Sequence, residues 1–314
     1  MKKVKDFLWT PGMTVEECVD RFDSLGYQAI ELYEASEVVL KMKESGAKIF
    51  LTFTSNMITS GLRGFFAQLI RLGMVEVIVT TSGSIEEDIM KAVGEEFEIS
   101  SFNADDVYMH EKGENRIGNL LIRNESYMKF EDKMSDYLKK IYEKQKRITV
   151  SELLKELGLM LNDENSFLYQ AAKRNIPVFC PGIADSAIGF HLFMFQQDHP
   201  DFIVDTIQDI KNAIFCSSND ERKGLIALGG SISKHYAVFS ALLSGGFDYA
   251  VYMTTSHQSS GSFAGATTQE AKSWGKIKDD AEAATVVGDV TITFPLMMIR
   301  VLEKLKQKGL LKGV

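Results

Sequence analysis

No stretch of about 18 apolar residues occurs in this chain, so nothing in it reads as a membrane span. Its N-terminal lysines are not followed by an apolar core and a small-residue cleavage site, so the start does not read as a signal peptide, and a cytoplasmic location is expected. Only three cysteines are present, Cys18, Cys180 and Cys216. Odd in number and far apart, they exclude a disulfide framework and a zinc site, and they read best as small buried apolar side chains. An excess of basic residues is also missing. The net charge of −8 argues against nonspecific nucleic-acid binding and suits a cationic partner. A Gly-x-Gly-x-x-Gly fingerprint is absent as well, and so are low-complexity linkers and internal repeats.

What is there is an alternation of apolar runs and amphipathic segments. Thr14 with Glu16 and Glu17 marks a helix start, and a second helix is expected over 35–44. Strands are expected at 48–53, 75–79, 176–180, 225–228, 249–253 and 284–287. Helices are expected over 127–146, from Thr149 onward, over 206–215 and over 294–306, while 94–124 shows no clear period. Strand and helix in turn predict an α/β protein, with a doubly wound, mostly parallel sheet, helices on both faces, and residues 1–314 as a single domain.

Polar turns follow several of these strands, at 54–61, 80–84, 182–186, 229–231 and 288–289. Helix starts of this kind accept a pyrophosphate, and carboxylates such as Glu87, Asp185 or Asp289 accept ribose hydroxyl protons, so a dinucleotide rim is plausible. The long polar loop 253–277 holds a tryptophan expected to be buried, Trp274, with Gly275 and Lys276 after it. Such a setting can strip water from a lysine amine and free it for imine formation. His235 is either a proton carrier or a structural histidine. Glu270 is either an amine anchor or an exposed helix acid, and Tyr252 and Trp274 are either cation–π walls or core.

At Ser273-Trp274-Gly275-Lys276-Ile277 the chain resembles the deoxyhypusine synthase family. The resemblance runs through Thr54-Ser55-Asn56, Ser60-Gly61, Thr80-Thr81 with Glu86-Glu87-Asp88, Ile176-Pro177-Val178-Phe179 with Asp185, Gly229-Gly230 with Lys234-His235, Asp248-Tyr249-Ala250-Val251-Tyr252, and Phe294-Pro295. It is closest to the shorter archaeal or bacterial form. It implies a Rossmann-like fold, a homotetramer, NAD as cofactor, and transfer of an aminobutyl group from spermidine, through an imine on Lys276, to a lysine of translation initiation factor 5A. His235 matches the family's substrate-site histidine. Ser55, Asn56, Thr59, Thr81, Ser82, Gly83, Glu87, Asp185, Gly229 and Asp289 match NAD contacts, and Tyr252, Glu270 and Trp274 match amine contacts.

Two departures fall in the amine pocket. Phe263 and Phe190 stand where the family carries carboxylates, and Ser231 stands where it prefers glycine. An ammonium against apolar walls is costly, and a cation–π contact recovers only about 1–2 kcal/mol. The resemblance therefore also admits a divergent paralogue acting on a different amine, of homospermidine synthase type, or a noncatalytic NAD-binding subunit.

Overall fold

The computed structural model describes residues 2–218 and 221–311, and the chain divides into two compact units. The first comprises Met1–Thr54, Arg71–Val79 and Ile210–Val314, and the second Ser55–Ile70 and Thr80–Asp209.

The first unit is built on parallel strands in the order Ile277–Val287, Phe247–Thr254, Lys223–Leu228, Lys48–Thr52, Val77–Val79. Every residue of Lys223–Leu228 is buried, as expected of a central strand in a parallel sheet covered on both faces. The helix Gln28–Glu44 packs so tightly on that strand that a Cβ on Gly224 would lie 2.6 Å from the Met42 sulfur. Val77–Val79 and the much later Lys223–Leu228 flank Lys48–Thr52 on opposite sides, so the chain runs outward from this strand both ways and makes a topological switch point, the place where open α/β sheets bind ligands. Gly229 leaves the sheet there at φ +79, with its missing Cβ aimed 3.7 Å from Thr54 Oγ1.

The sequence reading holds for the strands and errs at their ends. Helix Val15–Arg21 starts where Thr14 predicts it, since the Glu17 N–H donates to Thr14 Oγ1 (3.2 Å) and the Thr14 N–H to Glu17 Oε2 (2.8 Å). The last strand begins at Ile277, seven residues before the expected start. Its first half, Lys278-Asp279-Asp280, is too polar to show an apolar pattern; Lys278 is tied instead to Asp248 at 2.6 Å. The closing helix begins at Val290, because Asp289 caps it by accepting the Thr291 N–H at 2.8 Å, although Pro295 suggests a later start.

The second unit contains helices Ser82–Ala92, Asn124–Lys144, Val150–Leu161, Phe167–Lys173 and Ala187–Asp198, and two small sheets. Segment 94–124, without a clear period in the sequence, forms a helix and three short antiparallel strands. Gly118 and Asn119 close the hairpin between Glu114–Ile117 and Leu120–Arg123, with Gly118 at φ +63. Asp88 anchors the unit. Its buried carboxylate accepts from Arg63, from Ser166 Oγ (2.7 Å) and from the Leu168 N–H (2.9 Å).

Candidate active site

In the first unit the loop after strand Phe247–Thr254 returns to the helix Ser231–Leu242, and a set of amines and rings meets there. Lys276 Nζ lies 4.8 Å from the Phe263 ring centroid and 5.2 Å from that of Trp274. Lys234 Nζ lies 4.8 Å from the same Phe263 centroid and 3.8 Å from that of Tyr252. His235 meets the Phe263 ring edge-on at 5.4 Å and stacks on Phe239. One phenylalanine thus lies beside two lysine amines and an imidazole.

Lys234 is the residue that sequence reasoning undervalued. It is fully buried, and its amine donates to the carbonyls of Phe263 (3.1 Å) and Ala266 (2.9 Å). Burial pulls it down to about 7; the charge of Glu270 opposes this, and that of Lys276 reinforces it. A lysine one position before the candidate histidine, after a Gly-Gly turn, was the available signal. Burial likewise lowers His235 below its usual value, helped by the Lys276 cation, so its imidazole is neutral at pH 7.

The loop is held by more than Lys234. A Cβ on Gly230 would lie 2.3 Å from Ala264 Cα, and one on Gly265 would lie 2.3 Å from the His257 carbonyl oxygen, so only glycine allows these approaches. Ser231, where the family prefers glycine, adopts φ +64, a left-handed conformation that costs a non-glycine residue about 1–2 kcal/mol.

One expectation changes. Trp274, expected to be buried, is 66% exposed, because it lies beyond the short helix Thr268–Lys272 rather than under it. Tyr252 is core, and the cation over its ring is the chain's own Lys234. The buried Tyr252 hydroxyl has no hydrogen-bond partner among the described residues. Glu270 lies exposed on the short helix, close enough to Lys234 to act on its charge. Phe190 belongs to the second unit, on helix Ala187–Asp198, where its ring packs against His191 and Phe193.

The residues expected to contact a dinucleotide divide between the units. In the second, the Ser55 N–H donates to Thr81 Oγ1 (3.2 Å), and Gly83 lets the two turns approach, since a Cβ there would lie 2.9 Å from Ser55 Cβ. Asn56 shares the Ser55 turn. Thr59 donates to Glu87 at 2.5 Å, and burial raises that carboxyl to about 7. Ser82 donates to the Gly182 carbonyl at 3.1 Å, and the Asp185 N–H donates to the same oxygen at 3.2 Å. Ser55, Thr59, Thr81, Ser82, Gly83 and Glu87 are therefore brought together. In the first unit, Gly229 lies at the switch point and Asp289 at the start of the closing helix. Hydroxyls, a close-approach glycine and a buried carboxyl are what a nucleotide's phosphates and ribose require. Among the described residues no group of His, Cys, Asp and Glu is arranged to hold a metal ion, and no helix is long and apolar enough to cross a membrane.

The deoxyhypusine synthase family profile matches residues 17–301. The chain belongs to the deoxyhypusine synthase family. A Thermoplasma acidophilum relative named probable deoxyhypusine synthase is 36% identical over 299 residues, covering 95% of this chain and 96% of its own. A Schizosaccharomyces pombe relative of the same name is 36% identical over 311 residues, covering 94% and 89%. Among solved structures, one from Entamoeba histolytica, given provisionally as a deoxyhypusine synthase, superposes with a TM-score of 0.68 at 26% identity, covering 96% of this chain and 97% of that one. Family membership makes the chain a transferase with an α/β fold, as the sequence indicates.

Proposed function

We propose that this chain is an NAD-dependent aminoalkyl transferase of deoxyhypusine synthase type that carries its group as an imine on Lys276. The observation that carries this reading is the placement of the Lys276 amine between the Phe263 and Trp274 rings, beside a neutral imidazole. NAD would be held by the Ser55, Asn56, Thr59, Thr81, Ser82, Gly83, Glu87 and Asp185 set. When bound, it supplies the two-electron acceptor that takes a hydride from the donor's amine-bearing carbon and later returns it.

The Lys276 amine adds to the activated carbon of the donor, and the leaving amine departs as the new carbon–nitrogen double bond forms. His235 accepts the proton released as that bond forms, and returns it when an acceptor amine replaces Lys276. Trp274 and Phe263 flank the amine with aromatic faces. Glu270 is the anchor for a donor ammonium. Spermidine as donor and a lysine of translation initiation factor 5A as acceptor are the family's pair, which makes this chain a candidate for hypusine biosynthesis. Phe263 favours a second reading, in which the same chemistry serves another amine.

Purified protein with NAD and a panel of amines should produce NADH. Lys276→Arg should lower the rate by roughly a thousandfold or more, since its guanidinium cannot form the imine. Absence of NADH across the whole panel would sink the proposal.

A further inference from the structure

We propose that Phe263 sets the substrate class of this site, and that the donor is an aliphatic diamine with one distal ammonium rather than a triamine. The inference rests on Lys276 as the imine-forming residue. It starts from the charges around one ring. Two lysine amines already lie 4.8 Å from the Phe263 centroid, one from Lys276 and one from Lys234. Among the described residues Glu270 is the only acid whose charge bears on Lys234. It can balance one incoming ammonium. A second would be buried against an aromatic ring and the carbonyl-held Lys234 amine with no countercharge, which is costly.

The backbone that carries the ring is held in place. Lys234 holds the Phe263 carbonyl at 3.1 Å and the Ala266 carbonyl at 2.9 Å. Gly230 lies against Ala264 and Gly265 against the His257 carbonyl with no room even for a Cβ, so the backbone on both sides of Phe263 is clamped. Phe263 therefore offers the donor's carbon chain an apolar face at a fixed point of the loop. The orphaned, buried hydroxyl of Tyr252 behind Lys234 adds no negative charge, because burial pushes its pKa up and keeps it protonated.

The chemistry balances for a diamine. Loss of hydride from the carbon bearing one amine, with NAD as the acceptor, leaves an iminium. The Lys276 amine adds to it, ammonia leaves, and the aminoalkyl imine on Lys276 keeps its distal ammonium at Glu270.

The test uses the full chain with NAD and a series from 1,3-diaminopropane to 1,6-diaminohexane, with spermidine as the triamine. Initial NADH formation is read beside the borohydride-trapped mass on Lys276. The best diamine should exceed spermidine in kcat/KM by roughly a hundredfold or more, the scale of burying one cation without a partner. Phe263→Asp should shrink or reverse that ratio, and Phe263→Leu, which keeps the wall apolar, should preserve it. Equal or faster turnover of spermidine by the parent, or an unchanged ratio in Phe263→Asp with Phe263→Leu folded and active, overturns the inference. Butanal, which needs no oxidation, separates the two levels of the argument. Reductive labelling of Lys276 by butanal with no adduct from any diamine overturns the diamine class alone. No labelling of Lys276 by butanal or by any amine overturns the imine chemistry and the diamine class together.

Discussion

Asp88 in the second unit and Lys234 in the first are both fully buried ionisable groups, and their surroundings differ in kind. Asp88 has a guanidinium partner, Arg63, which also reaches Asp163 at 2.5 Å, and two further donors complete its shell. Among the described residues Lys234 has no carboxylate in contact. It is held by two carbonyl dipoles and two ring faces, with the charge of Glu270 acting from further away. A buried charge with a hydrogen-bonded counterion is a structural anchor, whereas one without is cheaply neutralised. The contrast separates a residue that ties three segments together from one that is poised near a reactive lysine.

That contrast can be broken at three strengths. Asp88→Asn, which leaves Arg63 buried with its main partner uncharged, should cost about 3–5 kcal/mol of unfolding free energy in a urea titration. A loss below about 1 kcal/mol would make the pair ornamental. Lys234→Met should act through pH. The folded-state pKa of Lys234, about 7 against an ordinary 10.5, is depressed, so the folded protein binds fewer protons than the unfolded chain between those values. The contribution is fully present above 10.5 and is lost as pH falls to about 7. Denaturation midpoints from pH 7 to 10 should therefore rise more steeply in the parent than in Lys234→Met, and parallel curves would contradict the burial argument. The smallest effect belongs to Trp274→Ala. Because the ring is 66% exposed, stability should stay within about 0.5 kcal/mol, while the trapped adduct on Lys276 should decline.

The sequence revealed the strands because Lys223–Leu228, Phe247–Thr254 and Lys48–Thr52 are nearly continuous apolar runs, as central parallel strands must be. Capping pairs such as Thr149 with Glu152 were equally legible, since their chemistry is local. The antiparallel strands in 94–124 were not, because two to four residues are too few to show a period; only Gly118-Asn119 marks the hairpin. At the site, residue types pointed to Lys276, His235 and Glu270. They could not show that Lys234 turns inward onto Tyr252 and pins the loop, which depends on packing between residues 18 to 32 positions apart in the chain.

The central claim is that, of two lysines sharing one ring, Lys276 carries the substrate and Lys234 holds the loop. Peptide mapping of the protein after incubation with NAD, a diamine and borohydride reads this directly. The account predicts an aminoalkyl mass on the peptide containing Lys276 and none on the peptide containing Lys234. A label on Lys234, or one spread evenly over surface lysines, would contradict it.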